Sequence, residues 1–168
     1  NSCKTLNMKK LNILGLFFIC SILLSAQEKK DSIKPIPKVK SFITKHEITN
    51  GGKLIKYNAI ASETYLKNKT GDSVATIWSV AYIQDGIIDQ TKRPVTFVFN
   101  GGPGSASVWL QMGMFGPELV KVNSDAKEDD GAAPYNLVTN KHGFLDLTDF
   151  VFIDPVGTGY SRVIGKGK

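Results

Sequence analysis

Val95-Thr96-Phe97-Val98-Phe99-Asn100-Gly101-Gly102-Pro103-Gly104-Ser105-Ala106-Ser107 joins a short apolar run directly to a glycine-rich turn. A continuous run of this length is the pattern of a strand buried on both faces, whereas a half-exposed strand alternates apolar and polar residues. Phe150-Val151-Phe152-Ile153 repeats the pattern, and it too runs straight into a turn, beginning with Asp154-Pro155. Glycines let the backbone bend sharply and approach a ligand without a Cβ in the way, leaving N–H groups exposed. A helix is expected from Ser105 to about Met112, and its first turn adds partial positive charge behind the loop. A loop in that setting is suited to holding an anion. Buried strands that end in such turns point to an α/β sheet whose strand ends carry the site.

Upstream of this stretch the pattern changes. Residues Phe42 to Thr49 and Lys53 to Leu66 suit strands, and Asn50-Gly51-Gly52 between them supplies the positive-φ positions of a tight hairpin. Lys67-Asn68-Lys69-Thr70-Gly71-Asp72 is a second turn signal, leading into Val74 to Ile83, which is rich in β-branched and aromatic residues. Connections this short imply an antiparallel meander. The expected fold class is therefore α/β, with antiparallel strands first and parallel buried strands later, an α/β-hydrolase-like order that stops short of a complete sheet.

The 168 residues are 42% apolar and 21% charged, an ordinary globular mix that argues against wholesale disorder. The formal charge of +6 includes Lys4, Lys9 and Lys10, which lie in a leader with no acidic residue, so the remainder is only modestly basic. No helix or sheet of interleaved arginines and aromatics accompanies that charge, and no nucleic-acid partner is expected. Met8-Lys9-Lys10 precedes the mostly apolar Leu11 to Leu24 and then Ser25-Ala26-Gln27, the pattern of a signal peptide and too short for a comfortable membrane span. The expected organisation is upstream residues 1–7, a signal peptide over 8–26, a lysine- and proline-containing linker over 27–40, and one domain from 41 to 168. Export to a periplasm or to the medium follows, with no stable membrane anchor. Cys3 and Cys20 both fall in the leader, so the mature chain is expected to have neither a disulfide nor a thiolate metal site.

Three anions compete for the glycine loop. Gly102-Pro103-Gly104-Ser105-Ala106-Ser107 matches the first two glycines of a dinucleotide fingerprint but lacks the third, and Pro103 removes a donor. Ser105-Ala106 stands where a phosphate loop needs lysine followed by serine or threonine. The remaining ligand is the oxyanion of an acyl-transfer intermediate. A plain alternative is a glycine turn that only lets strand and helix pack.

The segment Phe97 to Ser107 resembles the oxyanion-hole segment of the serine carboxypeptidases. Phe115-Gly116-Pro117-Glu118 is similar to their Gly-Pro segment, and Ala133 through Ser161 is similar to the next family block, which ends in a strand and a Pro-x-Gly-x-Gly-aromatic-Ser turn. Together the three cover Val95 to about Ser161 in one order. The resemblance implies that Gly102 donates its backbone N–H to the developing oxyanion. It further implies that the side-chain amide of Asn100 and the N–H of Gly101 hold the free C-terminal carboxylate of a peptide substrate. The reaction implied uses a serine nucleophile, with no cofactor and no metal. Ser105 and Ala106 depart from the cysteine and serine of many members, and Arg162 replaces a common aromatic residue.

A nucleophile elbow, Gly-x-Ser-x-Gly, is missing from the sequence. Gly71-Asp72-Ser73-Val74-Ala75 and Gly159-Tyr160-Ser161-Arg162-Val163 match only its first glycine and serine. His142 and Asp154 precede any downstream nucleophile and so fall in the wrong order for triad partners. His142 is expected on a surface loop and His46 within a hairpin strand, while Asp154 is expected to fix its own turn by local hydrogen bonds. The catalytic serine, aspartate and histidine are thus expected beyond Lys168, in a longer polypeptide of which this is the N-terminal part. Two other readings stand beside this one. A different α/β-hydrolase, an aminopeptidase or esterase, would use a similar loop but commonly places histidine at the Asn100 position, and a secreted binding module would have no catalysis at all.

Overall fold

The computed structural model describes residues 36, 38–122 and 133–167. The leader and most of the linker lie outside them. Three long strands come first: β1 (Ser41–Asn50), β2 (Lys53–Lys67) and β3 (Ser73–Gln84). They form the expected antiparallel meander, with β1 joined to β2 through Gly51 and Gly52 at φ 56° and 79°. The second connection is held by one side chain. Asn68 Oδ1 accepts from the Thr70 and Asp72 amides at 3.0 and 2.9 Å and from the Thr70 hydroxyl at 2.7 Å.

The chain then crosses over. β4 (Val95–Val98) is followed by a short helix, α1 (Val108–Leu110), which continues as a π-helical turn over Gln111–Phe115. A two-stranded antiparallel ribbon, β5 (Glu118–Lys121) and β6 (Asn136–Thr139), lies between this helix and the return strand β7 (Asp149–Ile153). β7 inserts between β3 and β4, antiparallel to the first and parallel to the second, giving the sheet order β1-β2-β3-β7-β4. A final bridge, β8 (Arg162–Val163), pairs with β3. The protein is thus a mixed α/β structure dominated by its sheet.

Register decides which side chains share a face. Tyr82 stands opposite Ala59 and Phe150, and Phe152 lies between Val80 and Val98. These rows face the core, where Ile48, Ile55, Tyr57, Val98, Leu145, Phe150 and Phe152 are buried and Leu110 and Phe115 pack against them. The adjacent row, Ile43, Ile60, Ala81, Val151 and Phe97, runs across the sheet on the opposite face. Among the described residues nothing buries it fully, and Ile43 and Phe97 are more than 60% exposed.

Two expectations need correction. β4 is not buried on both faces: Val95, Phe97 and the following Phe99 are exposed, and only Val98 is enclosed. The reason is lateral position, because β4 occupies the sheet edge while β7, with a partner on each side, is buried at Asp149, Phe150 and Phe152; β7 too falls short of the expectation at Val151 and Ile153, which are half-buried. The helix also starts later than expected, at Val108 instead of Ser105. Gly104 adopts φ 87° and the Asn100 amide holds the Ser105 hydroxyl, which keeps residues 101–106 out of the helical path.

Candidate functional site

β4 and β7 run parallel, so the loops after them leave the sheet on the same side. Ligands of open α/β sheets bind at such carboxyl ends. Asn100, Gly101 and Gly102 lie together in the first of these loops, immediately past the edge strand. Gly101, Gly102, Pro103 and Gly104 are all exposed.

The three predicted donors are differently engaged. The Asn100 side-chain nitrogen donates to Ser105 Oγ at 2.7 Å and, weakly, to the Ala106 carbonyl at 3.4 Å. Its oxygen accepts the Gly101 N–H at 2.9 Å. Asn100 therefore braces the loop from within, and the Gly101 amide is spent on it. Gly102 N–H, by contrast, has no protein acceptor among the described residues. A Cβ on Gly102 would meet the Gly104 nitrogen at 2.9 Å, so this bend of the loop admits glycine alone without a shift of the backbone.

The second loop is locked. Ser161 is fully buried, accepts from Trp78 N at 2.8 Å and donates to the Asp154 carbonyl at 2.7 Å. Asp154 was expected to fix this turn by local hydrogen bonds, and its backbone carbonyl does so by accepting the Ser161 hydroxyl. Its carboxylate crosses to the first loop, where Oδ1 accepts both the N–H and the hydroxyl of Ser107, each at 2.8 Å. The other carboxylate oxygen lies against Gly159, where an added Cβ would sit only 1.8 Å from it. Ser107 was not singled out by sequence reasoning, and Ser161 was weighed only as the serine of an incomplete nucleophile elbow. The available signal was positional, because each is a small polar residue closing a glycine turn behind a core strand.

The two histidines stand where expected. His46 is in β1, stacked on Tyr57 at 5.3 Å and bonded to Thr44, and His142 lies exposed in the turn before Gly143. Among the described residues, neither makes a hydrogen bond or ring contact with this loop pair. Among the described residues, no group of three or more His, Cys, Asp or Glu side chains is placed to hold a metal. No helix among them is long and apolar enough to cross a membrane.

Beside the first loop, the helical segment from Val108 to Phe115 and the residues of and flanking the β5–β6 ribbon border an open hollow of about 480 Å³. Val108, Trp109, Met112, Val120 and Tyr135 line it, an almost wholly apolar wall. The helix end above it is pinned by Asn140, whose side-chain nitrogen donates to the Met114 and Gly116 carbonyls at 2.9 Å each. Gln111 reaches the Tyr82 hydroxyl at 2.8 Å and ties the same helix to the sheet. Burial pushes the Tyr82 hydroxyl above its ordinary value of 10.0, against the opposing effect of the Gln111 bond. Tyr82 therefore remains a neutral structural group at any physiological pH.

Comparison with protein-family models gives no match, and comparison with curated proteins gives none either.

Proposed function

We propose that this chain is the N-terminal part of a serine carboxypeptidase-like α/β-hydrolase whose complete polypeptide removes residues from the C-terminus of peptides. The observation that carries the reading is Gly102: an exposed loop past a parallel strand, braced at both ends, with an N–H that takes no acceptor among the described residues. A donor held this way needs no reorganisation when negative charge develops on a scissile carbonyl oxygen. The sheet order supports the same reading, since an antiparallel meander gives way to parallel strands whose carboxyl ends share one edge.

In this mechanism a serine following Lys168 attacks the carbonyl carbon, and Gly102 N–H stabilises the oxyanion that forms. The histidine that accepts the serine proton returns it to the leaving amino group, and water then releases the acyl-enzyme. Asn100 and Gly101 hold the terminal carboxylate of the departing residue, exchanging their bonds within the loop for bonds to substrate. An internal peptide has no such carboxylate, and the donors left unpaired penalise it. The apolar hollow beside the loop favours an apolar side chain next to the scissile bond. The open row Ile43, Ile60, Ala81, Val151 and Phe97 belongs to a sheet that such a domain covers with helices on both faces.

A fluorophosphonate probe tests the class. The product of the uninterrupted coding sequence is expected to take the label on a serine in a Gly-x-Ser-x-Gly elbow C-terminal to Lys168. A complete product that takes no label contradicts the proposal.

A further inference from the structure

We infer that Asp154 is a positioning residue for the Gly102 donor, acting through Ser107; the inference rests on the hydrolase reading above. The bonds that Asn100 makes are internal to its own loop, from Gly101 to Ala106, and cannot by themselves fix where that loop stands against the rest of the sheet. The paired bonds from Ser107 to Asp154 Oδ1 are what tie it to a second strand. They sit at the end of the loop, where the first helical residue follows, so they set the span across which residues 101–106 must bend.

Asp154 is itself immobile. It follows β7 directly, and its N–H donates to the Trp78 carbonyl of β3 at 3.0 Å. Its carbonyl accepts the Ser161 hydroxyl, which in turn accepts the Trp78 amide. Gly159, at φ 48°, closes on the carboxylate from the other side. Position is thus handed from a central strand to Asp154, from Asp154 to Ser107, and from Ser107 to the loop. Both donors meet one carboxylate oxygen at 7% residue exposure, away from competing water. Pre-organised donors act only when held near their productive geometry, and small displacements are costly.

Three variants in the complete product test this: Asp154→Ala, Asp154→Asn and Ser107→Ala. Asparagine keeps an acceptor oxygen for Ser107 while removing the charge. Asp154→Ala is expected to speed amide exchange over residues 100–107 about tenfold, with β3 exchange unchanged, and to lower kcat about 10²-fold. KM should rise by less than kcat falls, because the oxyanion exists only in the transition state, whereas Asn100 and Gly101 in the same loop meet the substrate already in the ground state. Asp154→Asn is expected to recover most of both effects. If Asp154→Ala does not fold, Ser107→Ala, which loses the hydroxyl bond alone, is expected to show the same split at smaller size. Unchanged kcat and loop exchange in these variants, or losses that asparagine does not recover, overturn the inference. Wild-type protein that hydrolyses no peptide defeats the hydrolase reading and this inference with it. Wild-type hydrolysis with an unimpaired Asp154→Ala defeats this inference alone.

Discussion

β4 and β7 are parallel neighbours, comparable in length and in apolar character, yet they do opposite work. β7 sits inside the sheet, with Phe152 fully buried and Asp149 enclosed, and the turn after it is tied to β3 through Ser161 and Asp154. β4 forms the sheet edge, shows Phe97 at 62% exposure, and hands over to a loop whose Gly102 N–H has no acceptor among the described residues. Burial and hydrogen-bond closure go together in the first strand, exposure and an available donor in the second. Lateral position in the sheet separates an anchor from a working surface, and composition does not.

The comparison is broken most severely at the shared base of the two strands. Arg93 precedes β4, and its Nε donates to Asp149 Oδ1 at 2.7 Å, with both side chains only 7% exposed. Its guanidinium also donates to the Leu145 and Asp146 carbonyls, and Asp149 accepts the Gln84 amide. Arg93→Ala strands a buried carboxylate and is expected to cost about 3–5 kcal/mol in urea unfolding. Lys92→Ala, which removes an exposed pair with Asp89, should leave stability nearly unchanged by the same measurement. Similar costs for the two would show that the base is not a buried anchor.

Phe152→Ala is expected to lose about 3–5 kcal/mol because it empties a position with no room to collapse into solvent. Phe97→Ala, on the edge strand, should lose less than about 1 kcal/mol when the 168-residue chain is unfolded by itself. Equal losses would mean that β4 is as enclosed as β7. On the loop itself, Gly102→Ala drives a methyl against the Gly104 nitrogen and should reduce peptide turnover by about 10²–10³ while leaving the unfolding midpoint nearly unchanged.

A smaller effect sharpens the picture of the core face. Tyr57 and Tyr82 both have hydroxyls raised above 10.0, chiefly by burial, with the Glu118 charge adding in the same direction. Ionisation is therefore easier in the unfolded chain than in the folded one. Their contribution to stability is fully present below pH 10 and is lost as pH rises above it, towards the folded values. Thermal unfolding followed across that range should show a falling midpoint, and Tyr82→Phe should blunt the fall. An identical alkaline profile in that variant would remove Tyr82 from the account.

Much of this frame was legible in the sequence. The boundaries of β1, β2, β3 and β7 fall within one residue of expectation, because Asn50-Gly51-Gly52 and Asn68 to Asp72 carry turn chemistry that acts locally. What escaped was information that is not local. An apolar run does not say whether its strand lies inside a sheet or at its edge, so Val95 to Phe99 reads like Phe150 to Ile153. The bond from Ser107 to Asp154 spans 47 residues of chain and exists only because β4 and β7 become neighbours. The late helix start has the same origin, since Ser107 is held by β7 and Ser105 by Asn100.

We propose that the loop after β4 presents donors to a substrate's oxyanion and terminal carboxylate. The most direct test is the cleavage rate of two peptides differing only in a free or amidated C-terminus, measured with the complete gene product. The account predicts release of the terminal residue from the free peptide at a rate far above the amidated one, with Asn100→Ala narrowing the gap. Equal rates for the two peptides, or a gap that Asn100→Ala leaves untouched, would contradict it.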